Sequence, residues 1–477
     1  MKLPAQASPW RIAPTTWAKW LVVFIEVMAI VWVVYTEDAL WIPIAFAGSI
    51  VALLVGSAIA WEWPAGGIVA LALAAVMPAW FVQIGNTKLR PEHAAAALVG
   101  AFAVVWVVRR RAPIRFFAFD WFLLGYVGVS YLSSAIMSVE PGQTLKWAFQ
   151  TTLAIAPYFI LRVLLRDDHA LRQAVRILVA IGVAESLFGL ACLLSYRLFG
   201  TTFGVFPQQY GNIPGVFGSH MEANLFGAYA ACCGLMYMAY FLFGELRDSR
   251  HLIGFGICVT GVFISLARAA LLAAAVTSVV TLALGFHYRK IDARILIRLV
   301  GVVVLAAVLI SPLVYGYLEQ RVRKTEAIST DLTSIDPEGT TYSRLVQYAV
   351  AWGNVKQSPW LGNGVASFQL LFNWSDIGRG EDETSWIGNT LLRVLHDTGV
   401  AGTVLFFSFV ISLMTAAHGE ARRQITGPLP PLLAGALIYL ITFQFTEGTI
   451  LSFTWIHLGL IGAAVALRKE QQPDKAR

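Results

Sequence analysis

The stretch "LVGVVVLAAVLISPLVYGYLEQRVRKTEAIST", Leu299–Thr330, decides the fold. Its first part, 299–317, is apolar and uncharged, and about 20 such residues cross a bilayer as an α-helix. From Leu318 the chain turns polar and opens an extramembrane segment that runs to about 385. The rest of the chain repeats the apolar half of this pattern. Of its 477 residues, 57% are hydrophobic and only 13% charged, which excludes a water-soluble domain of this length.

Candidate spans fall at about 18–35, 40–60, 64–86, 93–108, 117–137, 146–164, 173–196, 221–243, 252–267, 269–286, 299–317, 389–417, 429–446 and 448–467. The expected fold is an all-α polytopic membrane protein of about 12–14 helices with one large external loop carrying short helices. The expected organisation is N-terminal spans over 1–108, core spans over 109–317, the loop over 318–388, C-terminal spans over 389–467 and a tail over 468–477. No cleavage pattern follows the first apolar run, which reads as an ordinary span.

A formal charge of +7 raises nucleic acid as a partner, but the basic residues lie in short loops rather than on one patch. They are a topology signal instead. Arg109, Arg110, Arg111 and Arg115, then Arg289, Lys290, Arg294 and Arg298, then Arg468, Lys469, Lys475 and Arg477 all fall on the side of the N-terminus. That side is expected to be cytoplasmic, with both termini inside and the large loop outside. Cys192, Cys232, Cys233 and Cys258 lie in apolar runs without metal or disulfide spacing and read as core residues.

Two interruptions are expected on the external face. One is "FGTTFGVFPQQYGNIPGVFGSHMEAN", 199–224; the other is the long loop, whose Tyr342, Trp352, Trp360, Phe368, Phe372 and Trp374 argue for a core of its own. Within it "YSRLVQYAVAWGNVKQ" has helical periodicity, expected to lie on the membrane surface, and "SPWLGNGVASF" ends it with Pro and Gly. The Gly-rich 362–368 lacks the strand-turn-helix setting of a nucleotide loop and reads as a turn.

Ionisable groups near spans are functional candidates, because burying one is costly unless it is paired. Glu26, Asp120 and Glu185 are isolated in sequence and fit helix-to-helix hydrogen bonding equally well. Arg268, in "ISLARAALL", falls at an external helix end, where it either snorkels or clamps phosphate through parallel hydrogen bonds. Arg344 stands near the start of the loop helix, with Thr340, Thr341 and Ser343 as capping candidates, where free N–H groups also favour an anion.

Four ordered stretches resemble the O-antigen ligase and polysaccharide polymerase superfamily: "GVFGSHMEANLFGAY" (215–229), "ISLARAALL" (264–272), "YSRLVQYAVAWGNVKQSPWLGNGVASF" (342–368) and "WIGNTLLRVLHDTGVAGTVLFF" (386–407). The resemblance implies a GT-C-like membrane glycosyltransferase in the bacterial inner membrane, working on its periplasmic face. The implied donor is a glycan on undecaprenyl diphosphate, and the acceptor a sugar hydroxyl. Metal and cofactor are not implied, because the diphosphate is already the leaving group. Polysaccharide assembly or export proteins are implied partners. Arg268 and Arg344 match the family's diphosphate-contacting arginines.

The resemblance also implies a base, a His before the Asn that opens the post-loop helix; here Gly388 precedes Asn389. Three substitutes stand open. His396 follows Asn389 and Arg393 at i, i+4, i+7, but roughly 10 Å further along the helix at 1.5 Å per residue; Arg393 can simply pair with Asp397. His220, in "GSHMEAN", is at an external helix start and titrates near neutrality. Its neighbours Glu222 and Asn224 are expected to face the same cavity, with Ser219-x-x-Glu222 as a capping box. Glu383, in the acidic run Glu381–Asp382–Glu383, can take a proton as a carboxylate.

The expected function is a surface-polysaccharide polymerase, preferred over a lipid A-core ligase because of Gly388. A transporter of lipid-linked oligosaccharide is the alternative outside enzymes. Transporters usually carry paired interrupted helices in two related halves, whereas this chain has one large loop placed late.

Overall fold

The computed structural model describes residues 64–78, 82–84, 87–110, 115–207, 214–244, 248–288, 291–329, 340–372 and 386–471. In chain order these form α1 (Pro64–Ala75), the antiparallel pair β1 (Val82–Ile84) and β2 (Thr87–Leu89), α2 (Pro91–Arg110), α3 (Ala118–Ile136), α4 (Pro141–Leu164) and α5 (Asp168–Phe199). A second antiparallel pair, β3 (Val205–Phe206) and β4 (Gly215–Val216), precedes α6 (Ala223–Phe243), α7 (Ser249–Ser265), α8 (Arg268–His287) and α9 (Ala293–Ser329). The remainder is α10 (Thr340–Gln357), the single turn α11 (Phe368–Leu371), α12 (Thr390–Arg423), α13 (Leu429–Thr442) and α14 (Ser452–Glu470).

The protein is an all-α polytopic membrane protein. Among the described residues seven helices are long and apolar enough to cross a bilayer, with α7 and α13 as shorter apolar helices. Helix α6 is the hub. Its "ANLFGAYAACCGLMYMAYFLF" is apolar all round, the pattern of a helix enclosed by others, and its Ala, Gly and Cys let neighbours approach closely. Its span is 89% buried, against 22% for α9, whose Ile297, Val300, Val304, Val308 and Leu309 stay exposed. An exposed apolar stripe of this kind suits lipid rather than water. All four cysteines are buried, as expected of core residues.

Three sequence expectations are corrected. The span over 64–86 is interrupted: α1 stops at Ala75 and the chain turns back as a hairpin with Ile84 opposite Thr87. Pro78 cannot continue a helix. The helix over 299–317 continues to Ser329, because Glu, Arg, Lys and Ala after the apolar run are good helix formers. The span over 389–417 is broken at Gly399, whose φ of 63° and ψ of −166° are not helical. The loop helix does form, as α10, with Thr340, Thr341 and Ser343 inside its first turn.

The break at Gly399 fixes the loop. Asn363 and Gly364 donate to the carbonyls of His396 and Asp397 at 2.9 and 3.0 Å, while Val400 and Ala401 donate to those of Pro359 and Trp360 at 2.8 and 3.2 Å. Gly362 (φ 73°) and Gly399 sit backbone against backbone here; a Cβ on Gly399 would lie 2.3 Å from the Trp360 carbonyl carbon. The 362–368 segment is thus a turn, as expected, with Gly362, Gly364 and Ala366 at positive φ.

Candidate active site

One end of the bundle gathers the helix starts of α6, α8 and α12 with the ends of α7 and α13. A Cβ on Gly227, one turn into α6, would touch Ser265 at the end of α7 and Ala270 at the start of α8. Thr390 donates to the Phe443 carbonyl at 2.8 Å, and Asn389 Nδ2 to that of Gln444 at 3.1 Å, tying α12 to the end of α13. Asn389 is itself the N-cap of α12, accepting from Leu392 N–H at 2.9 Å. This satisfies an otherwise orphaned donor of the first turn.

Inside that end lies a buried ionic cluster. Arg393 Nη1 pairs with Glu447 Oε1 at 2.6 Å and its Nε with Asp397 Oδ2 at 3.4 Å. The expected Arg393–Asp397 pair therefore exists, but Glu447 holds the shorter contact. Ala366 N–H donates to Asp397 Oδ2 at 2.9 Å, and His396 Nδ1 stands 3.1 Å from Asp397 Oδ1. Asn354 of α10 reaches His396 Nε2 at 3.4 Å. Trp386, Ile387, Phe368, Gln369 and Ala366 close a small pocket with Arg393 and Asp397. His396 is fully buried, edge-on to Phe368.

The connection between α13 and α14, Phe443–Leu451, joins this cluster to α6. Thr446 donates to Glu222 Oε2 at 3.2 Å, and the next residue is Glu447. Glu222 is exposed, yet crowding by protein raises its carboxyl above the ordinary range, while Thr446 and the nearby Arg344 charge pull it down. Asn224 also hydrogen-bonds Glu222. Arg344, half-buried on α10, and exposed Arg268, the first residue of α8, stand on elements that meet at this end. Tyr348, one turn after Arg344, donates to the Gly388 carbonyl at 3.0 Å.

His220 is placed differently. It is fully buried among Phe226, Tyr229 and Phe453, with Nδ1 3.3 Å from Glu185 Oε1. Glu185 also accepts from Ser219 N–H at 2.9 Å, so it is a partnered residue rather than an isolated one. The capping box is corrected: α6 starts at Ala223 with Glu222 as N-cap and no side-chain cap bond, and the Ser219 hydroxyl donates to the Val76 carbonyl. Asp120 lies at the opposite end, bound by Arg162, Tyr158 and the Phe117 amide. Glu383, with Glu381 and Asp382, and Glu26 lie outside the described residues.

The structure thus brings Glu222, Asn224, Asn389 and Arg393 to one end, with Arg344 near Glu222, and encloses His220 and His396. Sequence reasoning missed Glu447, Thr446 and Thr449. The available signal was "TEGT", 446–449, a polar run between two apolar spans.

Residues 253–407 match the family model described as O-antigen ligase. The matched segment holds Arg268, Arg344, Gly388, Asn389, Arg393 and His396; Glu222 and Glu447 lie on either side of it. No curated protein matches the chain. The match covers about a third of the chain and makes that segment similar to the O-antigen ligase family.

Proposed function

Taking the O-antigen ligase relationship of residues 253–407 as its premise, we propose that this protein is a membrane glycosyltransferase of the O-antigen ligase and polymerase type. It moves a glycan from undecaprenyl diphosphate to a sugar hydroxyl, as a polymerase of surface polysaccharide. The observation that carries this reading is the convergence of Glu222, Arg344, Arg393 and Glu447 at one bundle end, with Arg268 on an adjoining helix start.

In this reading Arg268 and Arg344 hold the donor diphosphate and stabilise the charge that develops as it departs. Guanidinium groups suit this role because they stay ionised and bind phosphate oxygens in pairs. The diphosphate leaves with its electron pair without help from a metal. Asn224 and Glu222 face the sugar, and Asn389 sets the angle of α12 beneath it. The loop end faces the periplasm of a bacterial inner membrane, since Arg115, Arg162, Arg468 and Lys469 cluster at the other end, the side favoured for basic loops.

The test is mass spectrometry of lipid-linked glycans and surface polysaccharide from a strain lacking the protein. Single repeats on undecaprenyl diphosphate with no long chains are expected. Long chains retained on the carrier would assign ligase activity instead, and an unchanged glycan profile would overturn the reading.

A further inference from the structure

Glu447 is 8% exposed, and its two carboxylate oxygens are loaded unequally. Oε1 takes every contact: Arg393 Nη1 at 2.6 Å, Thr449 N–H at 2.6 Å and the Thr449 hydroxyl. Oε2 is buried and has no hydrogen-bond partner among the described residues. Buried polar oxygens are almost always paired, and an unpaired carboxylate oxygen costs still more. One oxygen is therefore anchored by three donors while the other lacks the donor its burial requires.

The surroundings say what that donor is for. Glu447 is one residue from Thr446, which binds exposed Glu222, and its segment borders Gly388, where a Cβ would meet, among the described residues, the Phe445 carbonyl at 3.6 Å. A rigidly held, buried carboxylate oxygen that lacks a donor, two residues from the Phe445 carbonyl that borders Gly388, suits a substrate hydroxyl. His396 has both ring nitrogens engaged, by Asp397 and Asn354, and His220, whose Nε2 is also unpaired among the described residues, is packed among Phe226, Tyr229 and Phe453.

We propose that Glu447 is the proton acceptor for the incoming sugar hydroxyl, through Oε2; this rests on the glycosyl-transfer reading above. The acceptor oxygen forms its bond to the anomeric carbon and gives its proton to Oε2. The bond from that carbon to the diphosphate oxygen breaks, and the diphosphate leaves with the electron pair. Arg393 and Thr449 are positioning residues that hold Oε1 and so aim Oε2.

The experiment uses the full-length protein in detergent with an undecaprenyl diphosphate-linked repeat as donor and acceptor. Glu447→Gln keeps an oxygen for Arg393 and Thr449 but cannot take the proton. It is expected to lower kcat about 10²–10⁴-fold, the usual contribution of a general base, with KM within about threefold. In Glu447→Ala, sodium azide, a nucleophile with no proton to lose, should restore release of the lipid diphosphate and give a glycosyl azide.

Wild-type kcat from Glu447→Gln would overturn the assignment while leaving the transfer reading intact. So would a loss that comes with loss of donor binding and is not rescued by azide. A wild-type protein that transfers nothing would overturn the transfer reading as well.

Discussion

Arg393 on α12 and Glu447 in the α13–α14 connection meet at 2.6 Å, and neither is more than 8% exposed. With Asp397 they form a buried triad in which one cation serves two carboxylates. Removing one member of such a group leaves uncompensated charge, at a cost of about 3–5 kcal/mol, whereas removing both partners costs much less. Arg393→Met should therefore lower thermal stability sharply. Arg393→Met combined with Glu447→Gln should recover part of the loss, read as a double-mutant cycle of melting temperatures in detergent.

Gly399 and Gly353 make an opposed pair. Gly399→Ala places a Cβ 2.3 Å from the Trp360 carbonyl carbon at φ 63°, so it should destabilise by more than the roughly 1 kcal/mol of a left-handed alanine alone. Gly353 lies inside α10 with no described residue within 4 Å of a would-be Cβ, so Gly353→Ala should stabilise by about 0.5–1 kcal/mol. Thermal unfolding of the two variants against the parent checks both signs.

A Cβ on Gly388 would meet, among the described residues, nothing nearer than the Phe445 carbonyl at 3.6 Å, and the φ of Gly388 is not left-handed. Gly388→His should leave the melting temperature within a few degrees of the parent. Placed in Glu447→Gln, it should recover at least about tenfold of the lost transfer rate, because an imidazole is a competent base near neutral pH. Recovery no better than with Gly388→Phe would reject the idea that Gly388 adjoins the reacting hydroxyl.

Glu222 supplies a pH signature. Its carboxyl is raised in the folded protein, chiefly by crowding, so the native state holds a proton that the unfolded chain releases first. Stability contributed this way is present below the unfolded value and declines as pH rises through the raised one. The exposure of Glu222 keeps the effect small. Melting temperature should fall slightly from pH 4.5 upward in the parent, and Glu222→Gln should remove that slope.

The spans were legible because about 20 apolar residues have few alternatives to a membrane helix. Local breaks were less so. Gly399 stands inside a candidate span, after His396-Asp397-Thr398, and reveals its conformation through Trp360, which comes from another part of the chain. The same distance hid half the site. Arg393 and Asp397 share a helix face and were readable as a pair; Glu447 comes from the loop after the following helix, and no spacing rule links it to Arg393. His220 reads as an accessible helix-start residue because its burial under Phe226, Tyr229 and Phe453 depends on how three elements pack, and only Phe226 and Tyr229 are near it in sequence.

The four backbone bonds exchanged between Pro359–Gly364 and His396–Ala401 complete ladders that the break at Gly399 would otherwise leave open. The loop substitutes for a missing turn of a spanning helix, so in motion the two behave as one lever. Any rearrangement that admits a large lipid-linked substrate must carry this turn and α12 together. Their amides, Asn363, Gly364, Val400 and Ala401, should accordingly exchange with solvent deuterium as a single cooperative unit.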